Sequence, residues 1–300
     1  MPELPEVETI RRQLAPLVEG RTLARVEILD PRWSRPLAPA ALAAALEGRR
    51  IERLGRRGKY LLWSLAGDVH LAQHLRMTGA LLWQPSEALA HERVRLELAA
   101  GPRGLPAARV VITDARRFGT GELLLGGEAV ESFFAARLGL EPLDERFTAM
   151  HLRELTRARR TPIKALLLDQ RRVAGVGNIY ADEALFMARI HPLRAAGALS
   201  AKQRASLREA LVQALGAGID ARGASIDDFR HVDGVRGAFQ EQFLVYGRAG
   251  EPCVRCGHEI VRTVVAGRGT FVCEHCQRRP RAGPRPRSAR TAAAGSRSDR

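Results

Sequence analysis

No stretch of this 300-residue sequence approaches the ~20 consecutive apolar residues that a membrane-spanning helix needs. The opening MPELPEVE is acidic where a secretory signal would be basic. A soluble, cytoplasmic protein with no membrane partner is therefore expected. Cysteine is absent before position 253, and all four cysteines fall between Cys253 and Cys276. That confinement excludes a disulfide framework spanning the chain and favours a metal site. Acidic residues are in deficit, 33 against 48 Lys and Arg, for a net charge of +15. Such a balance expects a polyanionic partner, nucleic acid first. Part of the excess is local: from Gln277 to Arg300 eight Arg and one Asp give +7 of the +15. The Gly175-Val-Gly177 turn lacks both the third glycine and the preceding strand of a dinucleotide fingerprint, so no organic cofactor is expected.

What is there falls into blocks. From Glu6 to Val18 the apolar residues Val7, Ile10, Leu14 and Leu17 recur at helical spacing, with Pro5 near the first turn. Between about Leu23 and Leu125 the segments RVEIL, KYLLWSL, DVHLAQHL, GALLW, RVRLEL and RVVITD, broken by Gly and Pro, predict a sandwich or barrel-like pair of sheets. From about Glu131 onward LRELTRARR, IKALLLDQ, NIYADEALFMARI and SAKQRASLREALVQALGAGI predict four helices in a separate module. After Gln277 the Pro/Arg/Ala/Ser composition carries no periodicity and predicts a disordered tail.

Two patterns carry chemistry. Cys253-Val-Arg-Cys256 and, 16 residues on, Cys273-Glu-His-Cys276 can supply four thiolates to one tetrahedral ion. With no open coordination position, that site predicts one structural Zn2+; His258 and His275 are surplus. Arg255, Arg262 and Arg268 suit a zinc-braced hairpin that grips phosphate. At the other end, removal of Met1 leaves Pro2 with a free secondary amine, and α-amines titrate near pH ~8, so a useful fraction is unprotonated at neutral pH. Such an amine can attack an electrophilic sugar carbon. Of the carboxyls of Glu3 and Glu6 beside it, one can donate a proton to an opening sugar ring while the other fixes the amine. By spacing alone, however, Pro and Glu are good first-turn helix residues and need no chemistry.

MPELPEVETIRR, HLRMTG at His74 to Gly79, DARRFG at Asp114 to Gly119, GVGNIYADEALF at Gly175 to Phe186 and the paired Cys motifs occur in this order in one chain. Together they resemble the formamidopyrimidine-DNA glycosylase family, from Pro2 to about Gln277. The resemblance implies an α+β multidomain fold: an N-terminal β-sandwich with a leading helix over 2–130, a helix–two-turns–helix module over 131–237, a zinc-finger β-hairpin over 238–277 and a basic tail over 278–300. It implies a base-excision repair enzyme, both glycosylase and lyase, that acts on oxidised purines in damaged double-stranded DNA through a Pro2 Schiff base. By the same resemblance Glu3 is the proton donor, Lys59 serves β-elimination and Arg268 serves δ-elimination. Read without it, Lys59 is a strand-surface lysine and Arg268 a phosphate contact. Met77, Arg116 and Phe118 match the residues that fill the gap left by an extruded base. His74, His91, Arg117, Arg159, Lys164 and Asn178 match DNA contacts, Lys164 near the lesion.

Arg76 stands where glycine is common in the family, and Ser225 to Gln240 corresponds to the loop that caps the flipped base. Two rival readings are an endonuclease VIII-like relative acting on oxidised pyrimidines and a zinc DNA-binding protein that has lost its chemistry. PELPEVE with the triad Met77, Arg116 and Phe118 favours the purine branch. A single clamp around DNA needs no second copy, so a monomer is expected.

Overall fold

The computed structural model of the chain describes residues 2–225 and 232–280. Its first element, α1 (Leu4–Val18), holds Val7, Ile10, Leu14 and Val18 wholly buried, while Leu17 is half-buried at the edge of the same stripe. Next come β1 (Leu23–Ile28), α2 (Pro39–Leu46), β2 (Ile51–Arg57), β3 (Tyr60–Leu65), β4 (Val69–His74), β5 (Ala80–Trp83), β6 (Glu92–Leu98), β7 (Ala108–Thr113) and β8 (Thr120–Leu125). They form two antiparallel four-stranded sheets, ordered β1-β6-β7-β5 and β2-β3-β4-β8. Alternate side chains of both sheets, Leu54, Leu61, Trp63 and Leu71 from one and Val26, Leu81, Val94 and Val110 from the other, close one core with α1. The expected sandwich is present. Helix α2 has no counterpart among the expected elements, because PAALAAAL has too little polar contrast to show a period.

Helix α3 (Gly127–Ala135) runs across the expected boundary at residue 130. Val130, Phe133 and Phe134 pack with Tyr60, Ala72 and Leu124 of the second sheet, so the helix belongs to the sandwich and a cut at 130 divides it. Beyond it α4 (Ala149–Thr156), α5 (Ile163–Leu168), α6 (Asn178–Met187) and α7 (Ala201–Asp220) build the helical module. Leu152, Ile163, Leu167, Ile179, Leu185, Leu207, Leu211 and Leu215 share its core, and Leu4 of α1 joins them. One helix therefore enters both cores, its first residue in the helical module and the rest in the sandwich. The α5–α6 connection is knotted by Gln170, which accepts from Gly175 N–H at 2.9 Å and donates to Val176 O at 2.8 Å.

Strands β9 (Val261–Val265) and β10 (Arg268–Val272) pair antiparallel in the finger, whose Cys253, Ile260 and Cys273 pack with Val245 against Phe186 of α6. Part of the expected capping segment, 226–231, and the tail over 281–300 lie outside the described residues. No described helix is long and apolar enough to cross a membrane.

Candidate active site

Pro2 and Glu3 are buried at the start of α1, where the sandwich meets the helical module. The Leu4 N–H donates to Gly175 O at 3.1 Å, which fixes the chain start on the turn before α6. Glu3 lies in extended conformation at the N-cap, and its Oε1 accepts from Ile179 N–H at 3.0 Å in the first turn of α6. Its other oxygen, Oε2, is buried without a hydrogen-bond partner. Burying a carboxylate oxygen unpaired costs free energy, and an acid that must give its proton to something else needs such a free oxygen. Glycine is required alongside: a Cβ on Gly177 would stand 2.3 Å from Glu3 Cδ.

Glu6 is the second buried carboxyl. It accepts from Glu3 N–H at 2.8 Å, Tyr180 Oη at 2.7 Å and Ala224 N–H at 2.8 Å. Burial, then the neighbouring Glu3 charge, pushes it above the ordinary carboxylate range despite those three donors. It is thus a brace on the backbone of the chain start, on α6 and on the root of the 225–240 segment. Lys59 lies in the β2–β3 turn and is 5% exposed. Burial lowers its pKa, opposed by Glu3 and Glu6 and assisted by Arg268, so these four groups lie within electrostatic reach of one another. Glu141 secures that turn by accepting from Gly58 N–H at 2.7 Å and from Arg56 at 2.9 and 2.8 Å.

Lys59, Tyr60, His74, Arg76, Arg137, Asp169 and Arg171 line a recess of about 310 Å3, in which three arginines face one carboxylate, a balance that suits phosphate. A recess of about 870 Å3 lies elsewhere, at the seam around Arg56, Glu141 and His151, and none of the predicted site residues lines it. His74, expected as a DNA contact, is only 7% exposed, packed edge-on against Tyr60 and accepting at Nδ1 from Arg76 N–H at 2.9 Å. Burial first, then Arg76 and Lys59, depress its pKa to about 3, so the ring is neutral and its first role is to hold the turn. That turn puts Arg76 at φ +55°, a left-handed conformation that glycine, the residue the resemblance expects there, adopts without strain.

Met77, Arg116 and Phe118 are brought together at one exposed edge. Met77 is 37% and Phe118 50% exposed, and the Arg116 guanidinium lies 4.9 Å from the Phe118 ring centroid. The residues that assemble them, Asp114 and Thr78, are ones that sequence reasoning missed. Buried Asp114 accepts from Phe118 N–H at 2.8 Å, Gly119 N–H at 2.7 Å and Arg116 N–H at 3.2 Å. The Thr78 hydroxyl donates to Asp114 and accepts from Arg116 N–H at 3.1 Å, which ties the HLRMTG turn to the DARRFG loop. The detectable signal is an Asp followed by amides at +2, +4 and +5, the pattern of a carboxylate that folds its own loop. Arg117 forks onto Asp30 at 2.6 and 2.8 Å yet keeps its side chain 41% exposed, and His91 and Arg159 are exposed.

Lys164 corrects an expectation. The resemblance places it at the DNA, but it is wholly buried, 2.7 Å from Asp182 Oδ1, and donates to Thr270 Oγ1 at 2.8 Å and Gly269 O at 3.2 Å. Asn178 also turns inward, its amide donating to Gly269 O at 2.9 Å, and the start of α6 gives the Ile179 N–H to Glu3 rather than leaving it for a phosphate. Arg255, expected to grip phosphate, instead donates to Phe186 O at 2.6 Å and stacks 4.3 Å from the Phe186 centroid, which docks the finger on the C-terminal end of α6. Arg262 and Arg268 remain exposed.

The four cysteine sulfurs lie within 4.8 Å of one another and none is in a disulfide. Sulfur–sulfur separations of 3.4, 3.5 and 3.9 Å match the ~3.8 Å edges of a tetrahedron built on Zn–S bonds of ~2.3 Å. The residues fit one structural zinc, which would clamp the two knuckles of the finger.

A sandwich, a two-turn helical module and a four-cysteine finger converging on a buried N-terminal carboxylate define a zinc-finger protein of the DNA-glycosylase type. Three domain families match in order: the formamidopyrimidine-DNA glycosylase N-terminal domain at residues 1–121, its H2TH domain at 138–230, and the zinc finger found in FPG and IleRS at 250–279. The formamidopyrimidine-DNA glycosylase of Heliobacterium modesticaldum is 45% identical over 285 residues, covering 93% of this chain and all of that protein. The one from Chloroflexus aurantiacus is 46% identical over 282 residues, 92% of this chain and 98% of that protein. The chain belongs to the formamidopyrimidine-DNA glycosylase family. Among solved structures, the FPG protein of Thermus thermophilus aligns with TM-score 0.81 at 44% identity, over 92% of this chain and 98% of that one. A Lactococcus lactis FPG variant in complex with DNA containing Fapy-dG aligns with TM-score 0.85 at 35% identity, over 93% of this chain and all of that one.

Proposed function

We propose that this protein is a base-excision repair glycosylase and lyase that removes oxidised purines, 8-oxoguanine and formamidopyrimidines, from double-stranded DNA. The observation that carries the reading is the unpartnered Oε2 of Glu3, buried beside Pro2 and within electrostatic reach of the Lys59 amine and the Arg268 guanidinium. The Pro2 nitrogen, freed of Met1, bonds to C1′ as the bond from C1′ to the base nitrogen breaks, and the amine proton passes to the departing base. Glu3 gives its proton to the ring oxygen, the sugar opens and an iminium forms. Lys59, whose burial favours the neutral amine, and Arg268 at the head of β10 serve the two eliminations that expel the 3′ and then the 5′ phosphate. Met77, Arg116 and Phe118 fill the space left by the extruded base, while His91, Arg117 and Arg159 touch the backbone. His74 and Asn178 act from beneath this surface, as supports of the turn and of the finger. The working units are the sandwich with α3, the helical module to 237 and the finger over 238–277, acting as a monomer on cytoplasmic DNA.

Borohydride trapping on a duplex with 8-oxoguanine opposite cytosine tests this reading. A covalent adduct is expected with the wild type, strongly reduced in Pro2→Gly, and Glu3→Gln is expected to lose excision by roughly 100-fold or more. Tight DNA binding without adduct or cleavage would return the non-catalytic reading. Faster excision from an oxidised-pyrimidine duplex would overturn the purine preference, a comparison worth making because Lactococcus lactis FPG is also described bound to an oxidised-pyrimidine DNA.

A further inference from the structure

One helix holds both halves of the candidate site. At its first turn α6 gives the Ile179 N–H to Glu3 Oε1, 3.0 Å away. One turn further along, its side chains grip the finger. Asp182 Oδ2 accepts from Phe271 N–H at 3.0 Å, and Glu183 accepts from the N–H groups of Leu244, Val245 and Tyr246 at 2.9, 3.0 and 2.9 Å. Asp182 is paired at 2.7 Å with Lys164 of α5, both side chains having no exposed surface. Through Lys164 the pair reaches Gly269 O and Thr270 Oγ1, so three successive residues of β10 are pinned immediately after Arg268.

A buried ion pair is costly to form and strongly destabilising to break from one side, so its presence calls for a role other than net stability. Asp182 has such a role available. It is too deep to meet a substrate, yet it fixes the strand whose first residue carries an exposed guanidinium. We infer that Asp182, paired with Lys164, is a positioning residue that sets where Arg268 stands relative to Pro2 and Glu3, and so controls the second elimination without touching DNA. This rests on the proposed lyase reading, in which the Arg268 guanidinium helps expel the 5′ phosphate after the 3′ phosphate has left. Without the pair, the four cysteines can still close the finger on zinc and Arg255 still docks it on the end of α6, but the register of β10 over α6 is loosened.

The test is a product split on zinc-loaded full-length protein. Wild type and Asp182→Asn are reacted in single turnover with a duplex carrying a preformed abasic site. Borohydride adduct, β-product, β,δ-product and zinc per chain are measured together. The expected result is a β,δ to β ratio lower by about tenfold in Asp182→Asn, an effect in line with displacing a reacting group by a fraction of an ångström to an ångström. The rate of adduct formation, set at Pro2, stays within about twofold, and one zinc per chain is retained. A merely structural loss lowers adduct, both products and zinc together. Should Asp182→Asn lose its zinc, Thr270→Val decides: it removes the hydroxyl that meets Lys164 while keeping the side-chain shape, and a lowered ratio by about threefold is expected. An unchanged ratio in the zinc-loaded variants overturns the inference. Absence of an adduct with wild type would instead overturn the lyase reading, and the positioning role with it.

Discussion

Replacing Asp114 by Ala tests whether one carboxylate assembles the exposed edge. Three donors lose their acceptor at once, the N–H groups of Gly119 and Phe118 and the Thr78 hydroxyl, and the Arg116 N–H keeps only its bond to Thr78. Gly119 is buried, so its amide is left unpaired at a cost of about 1–3 kcal/mol. The amides of Phe118 and Arg116 reach water, and each loses about 0.5–1 kcal/mol net. Relief from burying a carboxylate, here 2% exposed, offsets on the order of 1 kcal/mol. The net destabilisation is about 1–4 kcal/mol, read by urea denaturation of zinc-loaded protein, with Asp114→Asn losing roughly half as much because one oxygen still accepts. The functional consequence is larger than the thermodynamic one. Without the carboxylate, Arg116 and Phe118 no longer share a fixed position with Met77, and excision from an 8-oxoguanine duplex is expected to fall by about tenfold or more. A stability loss under about 1 kcal/mol with wild-type excision would refute the assignment of the loop's order to Asp114.

Two further outcomes follow from the same geometry. In Gly177→Ala the new Cβ would stand 2.3 Å from Glu3 Cδ and 2.5 and 2.6 Å from its oxygens, so base excision is expected to drop by roughly 100-fold. Cleavage at a preformed abasic site should change by no more than a few-fold; parallel losses on both substrates would show that Glu3 placement is not what the glycine protects. His74 has a folded pKa of about 3 against an ordinary 6.5. A depressed histidine contributes stability that is fully present above its unfolded pKa and is lost as pH falls toward the folded one, roughly 3 kcal/mol by about pH 4. The unfolding free energy of wild type should therefore fall more steeply than that of His74→Gln from pH 6.5 downward, and equal slopes would place the ring in water.

The parts legible in the sequence are those whose signal is local. The α1 stripe, the strands from RVEIL to RVVITD, the helices and the four cysteines are set by spacing along the chain, and each is where the spacing puts it, except that the helix read over LRELTRARR stops at Thr156. What spacing does not carry is the partner of a buried charge. Lys164 is placed at the DNA by resemblance, and nothing in IKALLLDQ shows otherwise, because its counter-ion, Asp182, is on the next helix and its other partners, Gly269 and Thr270, are in the finger. Arg255 reads as a phosphate grip for the same reason: the carbonyls it meets, at Phe186 and Met187, belong to the end of another element. Asp114 is hidden in a different way, inside a motif whose basic and aromatic residues attract attention while the carboxylate that orders them reads as an ordinary strand end.

The choice between lysine and arginine in this chain follows from the same constraint. Only Lys59, Lys164 and Lys202 are lysines among 48 basic residues, and two of the three are buried around the candidate site. Arginine stays charged wherever it is placed, which suits surface pairs and phosphate contacts but not a group that must shed a proton. Lys59 is the group the mechanism asks to do so, and burial moves it in that direction. Lys164 meets a different demand. An ammonium offers three donors from one compact centre, and three acceptors surround it: Asp182, Thr270 and Gly269. A planar guanidinium spreads its donors over a wider fork and does not fit a wholly buried point shared by two helices and a strand. The arginine-rich composition thus describes the surface that meets a polyanion, and the two exceptions mark where the chain needs either a removable proton or a compact cation.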